Sequence, residues 1–299
     1  MLPFTLLRPT SLAEASQLLL KHGDDARPLA GGTALQIFRH LGLLRLPYLV
    51  DLAGISGLTG ISIENGWLVI GAMTPLRDVE RSPLVRQRLP ALAETYARVA
   101  SVRIRTTATA GGNLAHGDYR LDPPAILLPL GARVQIHGPT GDRGLPLAEF
   151  FTGIEETVLQ PGEVLTSIRV PLADLPDRAV FWKFASLAAN DWPCYGGGIC
   201  LWLDADGRCR EAKAGITAMA PTPLLFDLPM LAGKRIDDAL AQEAGAYVAE
   251  RVDPIADLRG SEAYKRRIAA VCTADAILAA WRRAVPLPPR WERLGEGIS

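Results

Sequence analysis

Two diglycine stretches constrain this 299-residue chain more than anything else in it. The longer occupies residues 106–122, where threonines and small residues lead through Thr106-Thr107-Ala108-Thr109-Ala110 to Gly111-Gly112-Asn113 and the stretch closes on Asp122, ahead of Pro123-Pro124. A shorter copy stands upstream at Leu29-Ala30-Gly31-Gly32-Thr33-Ala34-Leu35. Adjacent glycines allow backbone angles closed to other residues and let another molecule approach the main chain. Successive N–H groups in such a turn form a concavity suited to anions. One diglycine is usually only a tight turn. Two, each leaving a strand-like run, predict two jaws on one ligand that carries two phosphates.

The common phosphate fingerprints are missing: the chain has no GxGxxG and no GxxxxGK[ST], which disfavours a Rossmann or P-loop fold. The pair Leu29-Ala-Gly-Gly-Thr-Ala-Leu35 and Thr109-Ala-Gly-Gly-Asn-Leu-Ala-His-Gly-Asp118 instead resembles the FAD-binding medium subunit of molybdenum hydroxylases, a family that includes carbon monoxide and xanthine dehydrogenases. The spacing agrees from about residue 3 to about residue 282. The resemblance implies an α+β fold of the PCMH/vanillyl-alcohol-oxidase type, with a small parallel α/β subdomain, an antiparallel-sheet subdomain and a C-terminal α+β domain. It also implies FAD on this chain, and [2Fe-2S] and molybdopterin on partners.

Read in order, residues 3–52 form a small α/β unit. Ser11 and Glu14 make a capping-box signature before a helical apolar period. Asn65-Gly66 between two apolar runs predicts a hairpin. Thr74-Pro75 and Ser82-Pro83 predict helix starts, the second helix running to about Ala100. Residues 101–113 read as extended, and Asp122 as the cap of a helix through Leu130. Strands at 133–137, 144–147, 150–153 and 163–170 complete an antiparallel sheet. The polar segment 172–178 is the best domain boundary, giving 1–172 (subdomains about 1–52 and 53–172) and 178–284. Beyond it lie strands at 179–184, 198–203 and 211–219, helices at about 236–251 and 261–282, and a tail at 285–299.

Backbone N–H groups at 31–35 and 111–114 can neutralise phosphates without a basic residue. The hydroxyls of Thr106, Thr107 and Thr109, with Asn113, can hold ribityl and phosphate oxygens, although each is equally an ordinary polar residue. The resemblance places Leu29, Ala30, Gly31, Gly32, Thr33, Ala34, Leu35, Val99, Ala108, Gly111, Gly112, His116 and Leu165 at the cofactor and gives Asp122 a hydrogen bond to its sugar. It places Lys183, inside Val180-Phe-Trp-Lys-Phe184, near the pyrimidine edge of the flavin, where positive charge would favour the reduced ring. Asn190-Asp191-Trp192 resembles the family's Gly-Asp-aromatic turn, with Trp192 near the flavin. The run 184–189 lacks the basic residues usual there.

Lys plus Arg equals Asp plus Glu at 32 each, so no field draws nucleic acid or an anionic membrane. No apolar run approaches the ~20 residues of a membrane span. The N-terminus does not read as a secretory leader, so a cytoplasmic location is expected. Four cysteines without CxxC spacing and four scattered histidines give no cluster or zinc motif. Metal chemistry is therefore expected on other chains, and the resemblance implies that these are an iron–sulfur small subunit and a molybdopterin large subunit, in a dimer of heterotrimers. No catalytic triad or paired carboxylates present themselves, as suits a subunit whose flavin does the chemistry. Two rivals stand beside this reading, a self-sufficient flavin oxidase of the same fold and a scaffold that has lost the flavin.

Overall fold

The computed structural model describes residues 3–188 and 190–282. The first unit is a parallel sheet in the order β1 (Thr5–Leu7), β3 (Tyr48–Asp51), β2 (Ala26–Leu29), connected by α1 (Leu12–His22) and α2 (Thr33–His40). This is the predicted βαβ order. The Ser11 hydroxyl accepts from the Glu14 N–H, while the Glu14 carboxylate accepts from the Thr10 N–H, one residue before the box position. Ala15 and Leu19 of α1 pack with Ala26 and Val50.

An antiparallel five-stranded sheet follows, ordered β4 (Ile61–Glu64), β5 (Trp67–Gly71), β10 (Val164–Pro171), β6 (Arg133–Gly138), β7 (Gly141–Pro146). The β4–β5 hairpin turns on Asn65 and Gly66, both at positive φ as an Asn-Gly turn requires. Between β5 and β6 the chain makes six short helices: α3 (Leu76–Arg81), α4 (Pro83–Arg88), α5 (Pro90–Ala97), α6 (Val102–Thr107), α7 (Ala110–Ala115) and α8 (Pro123–Leu127). They share one apolar cluster with the sheet, including Leu68, Ile70, Leu92, Leu114 and Ile168.

Several local expectations change. The helix expected to run from Ser82 to Ala100 is two, because Pro90 cannot donate a helical bond and restarts the chain as α5. Thr74 caps nothing; its hydroxyl bonds both the N–H and the carbonyl of Gly60. Of residues 101–113, expected to be extended, 102–107 and 110–113 are helical, and Ala108 and Thr109 between the two helices are extended. Ser101 caps α6 through the Ile104 N–H and Thr109 caps α7 through the Gly112 N–H, so local side-chain caps overrode the low helix propensity of threonine and glycine. The strand β8 (Phe151–Gly153) pairs only with β9 (Glu156–Thr157), outside the main sheet, because Phe150 and Phe151 bury their rings edge to face in the core.

The C-terminal part is an antiparallel sheet of β11 (Arg178–Phe184), β12 (Tyr195–Leu203), β13 (Cys209–Thr217) and β14 (Leu224–Asp227), the last unforeseen. The helices α9 (Asp238–Ala249) and α10 (Glu262–Arg282) pack with it, and Ser261 caps α10 through the Tyr264 N–H. The opposite face of the sheet rests on α8. A Cβ at Gly198 or Gly215 would stand 2.2 or 2.1 Å from the Ala125 carbonyl oxygen, so strands and helix meet backbone to backbone. Cys200 and Trp202 belong to the same apolar cluster as the five-stranded sheet. Among the described residues no helix is long and apolar enough to cross a membrane. The tail expected at 285–299 lies outside the described residues.

Candidate functional site

The fold brings the two diglycine turns into contact. A Cβ on Gly31 would meet the Thr107 carbonyl oxygen at 2.1 Å, and one on Gly112 would meet the Ala30 Cβ at 3.2 Å. In the first turn Gly32 takes a left-handed φ of 69° and no side chain caps α2. The N–H groups of Thr33, Ala34 and Leu35 therefore begin the helix without an intrahelical acceptor. Leu29 and Ala30 lead into this turn, half-buried. Behind it, the Phe38 ring lies 5.6 Å from His116, which ends α7.

The second turn differs. Gly111 and Gly112 are helical residues in α7, and their N–H groups already have acceptors: Ala72 O at 2.8 Å and Thr109 Oγ1 at 3.2 Å. The Asn113 N–H bonds Thr109 O. The expected N–H cradle is thus present at 33–35 and engaged internally at 111–113. Space, not backbone angle, requires Gly111, where a Cβ would meet the Ala72 Cβ at 2.4 Å. What this turn offers instead is the Asn113 side chain, whose Oδ1 is buried with no partner.

Asp122 is 4% exposed and does not cap α8. Its Oδ2 accepts from Lys183 Nζ at 2.7 Å, and its Oδ1 is buried without a partner. Burial pushes this carboxyl up to about 6 despite the Lys183 and Arg98 charges that oppose the rise. Lys183 also donates to the Arg98 carbonyl oxygen, 3.1 Å away. The expected alternation along β11 holds, with Trp182 and Phe184 packed in the α9–α10 cluster and Lys183 turned the other way. Sequence reasoning missed the clamp on the turn at 98–100. There Arg105 donates to Val99 O and Ala100 O, and it is itself held by buried Glu80 at 2.9 Å, with Ala100 at a positive φ of 42°. An arginine and a glutamate 25 positions apart give no local signal.

Val99, Ala108 and Leu165 are buried beneath this region in the main cluster. Thr106 is exposed, its hydroxyl bonded to Val102 O within α6. Trp192 lies at the rim, 36% exposed. Its carbonyl accepts from Arg259 Nε at 3.3 Å, and Arg259 forks onto Asp191 at 2.9 and 3.0 Å. Burial works against the charged form of Asp191, but the Arg259 and Trp192 hydrogen bonds outweigh it and hold the carboxyl below its usual range. The indole itself faces Arg120, whose guanidinium carbon is 5.0 Å from the ring centroid.

A dinucleotide flavin fits these residues. The first N–H groups of α2 have no intrahelical acceptor, Gly31 lies too close to the Thr107 backbone for any Cβ, and Asn113 and Asp122 each bury an acceptor without a partner. The comparisons agree. The family model described as the FAD binding domain in molybdopterin dehydrogenase matches residues 2–173, and that of the CO dehydrogenase flavoprotein C-terminal domain matches 180–280. The chain is 35% identical to the carbon monoxide dehydrogenase medium chain of Afipia carboxidovorans, over 94% of this chain and 98% of that one. It is 30% identical to the caffeine dehydrogenase subunit beta of a Pseudomonas species, over 95% and 97%. Among solved structures, a Cu,Mo-CO dehydrogenase chain superposes with a TM-score of 0.90 at 34% identity, covering 95% of this chain and all of that one. A quinoline 2-oxidoreductase chain from Pseudomonas putida 86 gives 0.87 at 30% identity, covering 93% and 97%.

Proposed function

The chain belongs to the FAD-binding medium subunits of molybdenum hydroxylases, which are oxidoreductases, and on that premise we propose that it is the electron-transfer subunit of a heteromeric molybdenum dehydrogenase. When bound, flavin would supply the redox chemistry that links [2Fe-2S] centres on a small subunit to an external acceptor such as NAD or a quinone. A molybdopterin large subunit oxidises the substrate, and the assembly is a dimer of heterotrimers in the cytoplasm. In this reading the chain divides into 1–172 for FAD and a C-terminal domain at 178–284.

The chain's residues bind and orient. Thr33, Ala34 and Leu35 N–H groups hold phosphate oxygens at the helix N-terminus. Asn113 and Asp122 accept hydroxyls of the ribityl chain and sugar. Lys183 sets positive charge beside the ring, and Trp192 covers it. The observation that carries the reading is the pair of orphaned acceptors, Asn113 Oδ1 next to Gly112 and Asp122 Oδ1 beside Lys183, both buried. An unpaired buried polar atom is costly unless a ligand completes it. A flavin-free scaffold would have no use for them.

The test is isolation from the native host. With zero formal net charge, assembly depends on buried apolar area and resists salt. The native protein is expected to elute with iron and molybdenum on partner chains and to stay assembled at moderate salt. A free, fully active 32 kDa flavoenzyme would overturn the subunit reading and favour the self-sufficient oxidase.

A further inference from the structure

Tyr119 and Arg120 are bulky residues near the end of the glycine-rich stretch, and neither is used by the reading above. Arg120 is locked in place. The carboxylate of Asp118, 1% exposed, accepts from the Arg120 backbone N–H at 2.8 Å, from Nε at 2.9 Å and from Nη2 at 2.6 Å. The flat guanidinium then lies between two rings, 5.1 Å from the Tyr119 centroid and 5.0 Å from the Trp192 centroid. Tyr119 is anchored in turn, because its carbonyl accepts from the Ala218 N–H at 2.8 Å. Trp192 is thus held twice: its backbone by Arg259 in the C-terminal part, its indole by Arg120 in the glycine-rich stretch.

We propose that Arg120 is a positioning residue that fixes the Trp192 indole over the flavin, with Asp118 setting the angle of the guanidinium. The inference rests on the placement of Trp192 at the flavin given above. A planar cation fixed at both nitrogens of its fork suits this task better than lysine, which offers a point charge without a face to stack. Asp118 cancels the charge, so Arg120 acts through the geometry of the indole and not through its own field. The neighbouring His116 and Glu155, whose ligand atoms lie within 4.8 Å of one another and of Asp118, then surround a carboxylate already occupied by arginine.

The test reads flavin fluorescence in the FAD-loaded full chain, since an indole in contact quenches flavin emission. Arg120→Gln should raise emission up to about fivefold, the change in closed population that loss of one such stack allows. Trp192→Leu should raise it at least as much. In the double variant Arg120→Gln adds nothing to Trp192→Leu, because the arginine works through the indole. Arg120→Lys should fall between the parent and Arg120→Gln, and it serves as the test should the glutamine variant lose its native circular dichroism. Unchanged emission in the folded Arg120 variants overturns the proposal, as does an increase that persists in the Trp192→Leu background. If Trp192→Leu alone leaves emission unchanged, the placement of Trp192 fails and the positioning role of Arg120 fails with it. That outcome differs from a failure confined to Arg120.

Discussion

The two Ala-Gly-Gly turns are near-identical in sequence and opposite in physics. At Gly31-Gly32 the chain bends through a left-handed residue and leaves the first N–H groups of α2 open. At Gly111-Gly112 the glycines sit in a right-handed helix whose N–H groups are engaged, and their missing side chains make room for Ala72 and Ala30. Backbones approach closely at both turns; the first adds open donors, and the second leads on to the acceptors of Asn113 and Asp122. The same dipeptide therefore serves a left-handed angle at Gly32 and a shortage of space at Gly31 and Gly111. A ligand with phosphates at one end and hydroxyls along its length matches that division.

The second stretch is also tied to the C-terminal sheet, through the buried pair of Asp122 and Lys183. Lys183→Met should therefore have the largest effect, since it strips a buried carboxylate of its cation. Breaking such a pair from one side costs about 3–5 kcal/mol. Denaturant unfolding of the variant would show this as a fall in midpoint. Replacing both partners, as in Lys183→Met with Asp122→Leu, should recover most of it. A single variant as stable as the parent would mean the pair is solvated, against its 2% and 4% side-chain exposure.

Next comes pH. The folded Asp122 carboxyl lies at about 6 against an ordinary 3.8, so the folded state binds the proton more tightly than the unfolded one. The stability that this group contributes is complete below pH 3.8 and is lost as pH rises to about 6, a change of about 3 kcal/mol. At neutral pH the ionised carboxylate is left strained. A hydroxyl donated to Oδ1 favours the charged form, so FAD affinity should rise with pH over the same window. Asp122→Asn should flatten both dependences relative to the parent. FAD titrations at the two ends of the window decide it, and equal affinity at both ends would detach Asp122 from the ligand.

What the sequence showed depended on how local the cause was. The parallel unit, the Asn65-Gly66 hairpin and the alternation around Lys183 follow from neighbours in the chain, and each was legible. The helices α6 and α7 were misread because threonine and glycine suggest extension, while the deciding bonds come from the Ser101 and Thr109 hydroxyls. Asp122 looked like a cap because two prolines follow it; its actual partner is 61 residues away. The clamp of Glu80 on Arg105 and the stack of Arg120 on Trp192 are likewise long-range. Arg120 alone left a trace, as a cation beside an aromatic and two positions after an aspartate.

The smallest effects test the comparison most directly, through the order of two substitutions at each turn. Gly111→Ala places a Cβ against the Ala72 backbone, which cannot swing aside, and should cost about 2 kcal/mol by overpacking. Gly32→Ala meets only the Leu29 Cδ1, at 2.9 Å on a flexible side chain, but must hold a left-handed φ, at about 1 kcal/mol. Asparagine separates the two causes, since it tolerates the left-handed region better than alanine but is larger. At position 32 Asn should therefore be milder than Ala, and at position 111 Ala should be milder than Asn. Thermal unfolding of the four variants shows whether the order inverts between the sites. The same order at both turns would mean one cause governs both glycine pairs, and the contrast between an angle and a space would collapse.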